Sequence, residues 1–265
     1  MNTTNGARGY ETFYEEEYHR KVTVGGGRPE EHPFYSTLTR FIADFGLTGK
    51  KVLEIGSGTG LFQDVVPDYT GLDITESLRK HYHKPFYTTA VGARYPFADG
   101  TFDGFWSYAA FEHIPDIENA LEESLRVLKV GGVFLFHPAW NVRSWASEGY
   151  VVRPYRDLSL SVKLKKFSLL WRKQPVFRAV PLLVKRIWWV VRWRMGRGAR
   201  LPLTYKRLTP NYEKFWDVDS DACNSIDPYA VILWFKSRGC EVMNYPTPLK
   251  QFFVRTGPLV IKKVR

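Results

Sequence analysis

Lys51-Val52-Leu53-Glu54-Ile55-Gly56-Ser57-Gly58-Thr59-Gly60 is the stretch that decides the fold. Its first half is short and mostly apolar, the pattern of a strand buried on both faces of a parallel sheet. Its second half places glycine at every other position, where a chain can take positive φ and a ligand can approach bare backbone. A strand that ends in such a turn and feeds a helix N-terminus binds nucleotide-type ligands in open α/β sheets. The spacing is G-x-G-x-G rather than the dinucleotide pattern G-x-G-x-x-G, and Glu54 stands two residues before the first glycine. Alone, the turn suits a structural loop equally well.

The residues downstream favour a ligand site. Tyr69-Thr70-Gly71-Leu72-Asp73 reads as a second short strand ending in an acid, seventeen residues after Gly56. A carboxylate at that tip is placed to accept from both hydroxyls of a ribose. Tyr95-Pro96-Phe97, Thr101 to Ser107, Phe111-Glu112-His113-Ile114-Pro115-Asp116 and Leu125 to Gly132 follow in order.

This ordered set resembles the class I S-adenosylmethionine-dependent methyltransferases, in the broad small-molecule group that includes quinone and natural-product methylators. The resemblance covers roughly residues 50–138, about a third of the chain. It implies S-adenosylmethionine as cofactor and says little about the acceptor. Gly56, Ser57, Gly58 and Gly60 would lie against the methionine part, and Glu54 would help hold its ammonium. Asp73, followed by Ile74, would take the ribose, and the Ser107 carbonyl at the end of the fourth strand would face the amino group. One position departs from the pattern. Where the family often has an acid, five residues before Pro96, this chain has Val91. Adenine would then rest on Val91 and Gly92 by packing and backbone contacts.

The fold expected is α/β, a Rossmann-like, seven-stranded, mostly parallel sheet whose last strand is antiparallel, with a basic, largely helical insertion after strand 5. The pieces are an N-terminal lid or helical region (1–48), the cofactor-binding core (49–139), an inserted acceptor or membrane-surface region (140–224) and the C-terminal part of the core (225–265). Tyr10 to Lys21 reads as a helix carrying Phe13, Tyr14 and Tyr18, which would cover the cofactor or pack on the sheet edge. A flexible Gly25-Gly26-Gly27 follows, and residues 1–9 read as disordered. A helix is expected over Ser36 to Phe45, ended by Gly46. A very short helix stopped by Pro67 would join the first two strands. Gly131-Gly132 should break the helix that Asp116 caps, before a strand at Val133 to Phe136. Asp227-Pro228 opens a late helix, and the last strands read as Glu241 to Tyr245 and Leu259 to Val264.

At 265 residues and 44% hydrophobic, the chain is long and apolar enough for a sizeable core, which excludes a disordered protein. Cys223 and Cys240 make neither a metal-ligand spacing nor a disulfide framework, and no metal is expected. A reduced, cytoplasmic setting follows. The polar, acidic N-terminus is not a signal peptide.

Two histidines lie where this fold presents ligands. His113 follows the fourth strand and His137 ends the fifth. Either could be the base that a hydroxyl acceptor needs, or could merely orient a loop or cap a strand. The stretch from Asn211 and Tyr212 through Asp217, Asp219, Asp221 and Asn224 suits either a hydroxyl-rich acceptor or a solvated loop.

The net charge is +11, but its distribution matters more. Residues 153–207 hold sixteen Lys/Arg and one acid, Asp157, whereas the remainder is mildly acidic. No charge-free run there exceeds six residues, far short of the roughly twenty a membrane span needs. Arg178, Lys185 and Arg192 share one helical face, with Leu183, Ile187, Val190 and Val191 opposite and Trp188, Trp189 and Trp193 at the boundary. Arg194 interrupts the apolar side. Across 163–200 this fits a helix lying in an anionic membrane surface, at the inner face of a membrane. The stripe could instead pack on the body or a second subunit, and nucleic acid is a weaker rival. The acceptor expected is a small molecule or a lipid-linked one, a glycan intermediate or quinone-like lipid, methylated at oxygen. Two alternatives stay open, a tRNA or rRNA methyltransferase and an inactive, methyltransferase-like binding protein. Ser107-Tyr108-Ala109-Ala110 lacks the Asn/Asp-Pro-Pro-Tyr pattern of base amino-group chemistry.

Overall fold

Strand β1 (Val52–Ile55) is buried at every position and lies in the interior of the sheet, with a parallel neighbour on each side. The computed structural model describes residues 9–18, 27–172, 174–196, 199–214 and 218–265. The other strands are β2 (Tyr69–Asp73), β3 (Phe86–Thr88), β4 (Phe102–Tyr108), β5 (Leu128–His137), β6 (Tyr205–Arg207), β7 (Asn224–Ile226), β8 (Cys240–Val242) and β9 (Leu259–Lys263). Seven of them form one sheet in the order β3-β2-β1-β4-β5-β9-β8. β9 runs antiparallel to both of its neighbours, and every other pairing in that sheet is parallel. This is the Rossmann-like arrangement expected of the methyltransferase fold.

Alternation along the strands splits the core into two layers, because successive side chains leave opposite faces. Phe105, Phe134 and Phe136 pack with helices α2 (Ile117–Val127) and α5 (Pro228–Lys236). Trp106, Val133 and Leu135 pack with α1 (Tyr35–Asp44), which buries Leu38, Phe41 and Ile42. Both faces are thus covered.

Three local expectations are corrected. No helix joins β1 to β2, because residues 61–68 run as turns that bury Phe62 and Val66. A short span ending in Pro67 cannot complete a helical crossover. After Asp73 the chain makes a 3-10 helix, Glu76–His81. The pair Gly131-Gly132 does not precede β5 but lies within it, at a register shift opposite Phe102 and Gly104. Gly131 has φ +83, and a Cβ on Gly132 would sit 2.9 Å from the Asp103 carbonyl, so the glycines make a bulge. β8 also stops at Val242, short of Tyr245.

The insertion contains helices α3 (Leu160–Arg172) and α4 (Pro175–Met195), then β6 and β7 as a two-stranded antiparallel sheet. Trp140 bridges Ile226, so the chain leaves and re-enters the core at one place. α4 docks on α5 through Trp189, which is buried against Tyr229, Ala230 and Leu233. Arg186 is buried beside it and donates through Nη2 to both Asp227 carboxylate oxygens at 3.0 Å and to the Val254 carbonyl at 2.7 Å. Its Nη1 donates to the Phe252 carbonyl. The face assignment from periodicity is therefore corrected. Trp189, Leu183 and Val190 turn inward or sideways, while Ile187 and Val191 are exposed. The Arg178 side chain, residues 1–8 and 19–26, and Asp217 lie outside the described residues. Among the described residues no helix is long and apolar enough to cross a membrane.

Candidate active site

The turn after β1 is built from glycines for two different reasons. Gly56, Gly58 and Gly60 have φ of +70, +52 and +72, conformations that side chains with a Cβ resist. A Cβ on Gly56 would also come within 2.3 Å of the Ala110 methyl, and one on Gly60 within 2.8 Å of the Tyr82 ring. Nothing lies within 4 Å of a Cβ built on Gly58. That side of the turn faces the cavity. The Tyr82 hydroxyl, 2.8 Å from both Ser57 Oγ and the Gly58 carbonyl, clamps the turn from behind.

Asp73 is held tightly. Its Oδ2 accepts from the Gly58 N–H at 2.8 Å, and Oδ1 accepts from the N–H groups of Ile74 (2.8 Å) and Thr75 (3.2 Å). The same carboxylate that would meet a ribose thus first ties the glycine turn to β2. A carboxylate has about four acceptor sites, so Oδ2 retains capacity for a hydroxyl.

Glu54 is buried, and its Oε2 accepts from the Tyr69 hydroxyl at 2.5 Å. Burial pushes its carboxyl up to about 8, against the opposing pull of Tyr69 and the Trp106 indole. A buried carboxyl facing the cavity in this state is suited to a cationic ligand, which would restore its charge.

These groups line a cavity of about 540 Å³. Ile74, Val91 and Gly92 form part of its wall. Position 91 carries no acid, but one lies nearby in space. Asp116 also lines the cavity, with Oδ2 4.0 Å from a Cβ built on Gly92, and Asn119 Nδ2 donates to the Gly92 carbonyl. Tyr10, Tyr14 and Tyr18 of the N-terminal helical segment line the same cavity. Glu15 accepts from the Ser77 N–H at 2.9 Å and ties that segment to the body. The segment covers the pocket rather than packing on the sheet edge.

Ser107 and His137 are not among the lining residues. Ser107 is buried within β4. The His137 ring packs against Tyr108 (5.3 Å between centroids) and Phe34 (5.9 Å), and burial lowers its pKa. His113 does face the cavity. Its Nδ1 lies 3.2 Å from Asp221 Oδ2, an oxygen that also accepts from the Tyr14 hydroxyl at 2.6 Å. Burial works against a charged imidazole, but Asp221, then Glu112, outweigh it and raise His113 to about 9. His113 is therefore an imidazolium at neutral pH. Glu112 accepts from the Ala139 N–H through Oε1, while its own carbonyl accepts from the N–H groups of Cys223 and Asn224. The insertion is thereby stitched to the histidine loop. Glu112, His113 and Asp219 also bring one ligand atom each within 4.8 Å of one another, a cluster invisible in linear spacing.

Residues 53–136 match the family described as methyltransferase domain. This stretch, about a third of the chain, is a methyltransferase domain of the S-adenosylmethionine-dependent, class I fold. The domain's cofactor fits the residues present. The open side of Gly58, the spare acceptor capacity of Asp73 and the buried Glu54 carboxyl suit a ligand that carries ribose hydroxyls and a cation. The methyltransferase domain is similar to sterol 24-C-methyltransferase erg6 of Aspergillus fumigatus, 29% identical over 122 residues, 38% of this chain and 32% of that protein. It is similar to the ubiquinone/menaquinone biosynthesis C-methyltransferase UbiE of Bartonella bacilliformis, 29% identical over 117 residues, 38% of this chain and 45% of that one. It is also similar to the chloroplastic tocopherol O-methyltransferase of Arabidopsis thaliana, 27% identical over 135 residues, 45% and 38% of the two chains. The aligned parts cover less than half of each relative's length.

Tyr82 and Asp116 were not readable as site residues in the sequence, and although Tyr14 and Asp221 were candidates, nothing local showed that they meet each other and His113. The one available signal was the aromatic cluster at Tyr10, Phe13, Tyr14 and Tyr18.

Proposed function

We propose that this chain transfers a methyl group from S-adenosylmethionine to an oxygen of an amphipathic or lipid-linked acceptor, such as a glycan intermediate or a quinone-like lipid, and works peripherally at the inner face of a membrane. The observation that carries this reading is the aromatic cavity, with the glycine turn and Asp73 on one wall, three tyrosines over it and His113 facing in. The relatives' names support a lipid-like acceptor, since they cite a sterol, a quinone pathway and tocopherol, although two of the three name carbon and only the tocopherol enzyme names oxygen.

When bound, the cofactor supplies an activated methyl on a sulfonium. The chain contributes position and a dry site. The turn at Gly56 to Gly60 and Asp73 orient the cofactor, and Tyr10, Tyr14 and Tyr18 exclude water. His113, charged at neutral pH and braced by Asp221, stabilises the negative charge on the acceptor oxygen and so lowers the pKa of that hydroxyl, whose proton passes to solvent at the cavity mouth as the acceptor binds. Its role is electrostatic rather than that of a free base, and His137 takes no part.

The test is incubation with methyl-tritiated S-adenosylmethionine and a total lipid extract. Label should pass into the organic phase, and mass spectrometry should find one added methyl on an ether or ester oxygen. Label confined to RNA or to water-soluble products would refute the acceptor class. Tight cofactor binding with no transfer to any extract would favour a binding protein.

A further inference from the structure

We infer that the exposed faces of α3 and α4 together form a docking surface for an anionic lipid bilayer. This deepens the lipid-acceptor reading, yet it stands on residues outside the cavity. On α4, Val180, Val184, Ile187, Trp188, Val191 and Met195 recur at three- and four-residue steps, which gathers them into one arc of about 100°. All six are exposed, Val184 at 64% and Met195 at 78%. α3 repeats the pattern with Leu160, Leu164, Phe167 and Trp171, likewise exposed. The two helices touch. A soluble surface rarely leaves apolar area of this extent in water.

The orientation of this face is fixed from behind. Trp189, at 4% exposure, and the buried Arg186–Asp227 pair hold the opposite side of α4 on the body. Rotating the helix to hide the apolar arc would expose Trp189 and strand Asp227 without its cation.

Charge then selects the occupant. Residues 158–212 contain no Asp or Glu at all. By helical geometry Lys185 and Arg192 flank one edge of the apolar arc and Arg194 the other. A second copy of the chain would bring the same cations against this face. Nucleic acid would satisfy the cations but leave the apolar side chains in water. An anionic bilayer accepts both, with the side chains of the arc among the acyl chains and the cations at the phosphates. α4 has 21 residues, about 30 Å at helical rise, and lies along such a surface without crossing it.

The experiment is flotation of the full chain with phosphatidylglycerol/phosphatidylcholine vesicles, with phosphatidylcholine alone, and in parallel a tRNA binding assay, each at low and high salt. The chain should float with the anionic vesicles, lose that binding as salt rises and ignore the neutral ones. Trp171→Ser/Ile187→Ser/Trp188→Ser should weaken vesicle binding at least about tenfold while S-adenosylmethionine affinity stays unchanged. Replacing the exposed Lys165 of α3 together with two cations of α4, in Lys165→Gln/Lys185→Gln/Arg194→Gln, should weaken it on the order of a hundredfold. Failure to float with cofactor binding intact would overturn this inference and the peripheral-membrane part of the proposed function, and would leave the methyl-transfer reaction standing. So would tRNA binding that the apolar triple variant leaves untouched, or a dimer that the same variant dissociates. Loss of cofactor binding in the wild type would strike the proposed reaction and not the docking face.

Discussion

Binding of S-adenosylmethionine at about pH 6.5 should release close to one proton, and Glu54→Gln should abolish that release. Glu54 is the third residue of β1, at 4% exposure. Burial lifts its carboxyl from 4.5 to about 8, Tyr69 and Trp106 offset part of that, and Asp73 adds to it. The gap corresponds to about 5 kcal/mol against the ionised form. Without ligand, the carboxyl is therefore protonated at that pH. The cofactor's own α-ammonium keeps its proton there, since such groups titrate near about 7.7–8.0. Bringing that cation to the buried carboxyl removes much of the penalty, and the carboxyl gives up its proton. Affinity should rise about tenfold per pH unit between about pH 5.5 and 7.5 in the wild type and stay flat in Glu54→Gln. The stability of the ligand-free chain has the matching sign. The folded state holds this proton from 4.5 to about 8 while the unfolded state releases it, so stability falls as pH rises through that window. Calorimetry in two buffers of different ionisation enthalpy reads the proton directly. A wild-type binding heat that is the same in both buffers would remove Glu54 from the ammonium role.

Asp73→Ala should weaken the cofactor by about 1–3 kcal/mol, and it should also raise hydrogen exchange at Gly58, Ile74 and Thr75, whose N–H groups lose their acceptor. Wild-type affinity in that variant would leave the carboxylate a structural tie only. Methyl transfer should decline as pH rises through about 9, where His113 loses its charge, and Asp221→Asn should move the decline to lower pH because the first of the partners holding that charge is gone. A rate that climbs through the same pH would instead make His113 the base. Arg186→Ala should cost about 3–5 kcal/mol in denaturant unfolding, because it leaves Asp227 charged and buried. A loss under about 1 kcal/mol would mean that α4 is not clamped to the body by this pair.

The parts of the fold that were legible in the sequence are those whose partners are close in the chain. β1, the glycine turn and Asp73 fall within two consecutive strands, so spacing alone reports their geometry. The Tyr14–Asp221 hydrogen bond spans 207 positions, and no local pattern could have joined its ends or shown that His113 sits between two buried carboxylates. The same reason explains Asp116. It reads locally as a helix cap, which it is, and only the fold brings it beside Gly92. The basic helix failed differently. α4 is apolar around most of its circumference, so periodicity offers two rival inward faces and hydrophobicity cannot choose between them. The choice is made by one polar group. Arg186 finds the Asp227 carboxylate that caps α5 and the carbonyls of Phe252 and Val254 at the end of the short helix Pro248–Phe253, and burying it with these partners on that side turns Trp189 inward with it. A helix that spends its one well-matched ion pair on docking must leave its longest apolar arc facing outward. That is why the exposed tryptophan is Trp188, and why replacing Trp189 would test packing while replacing Trp188 tests the surface.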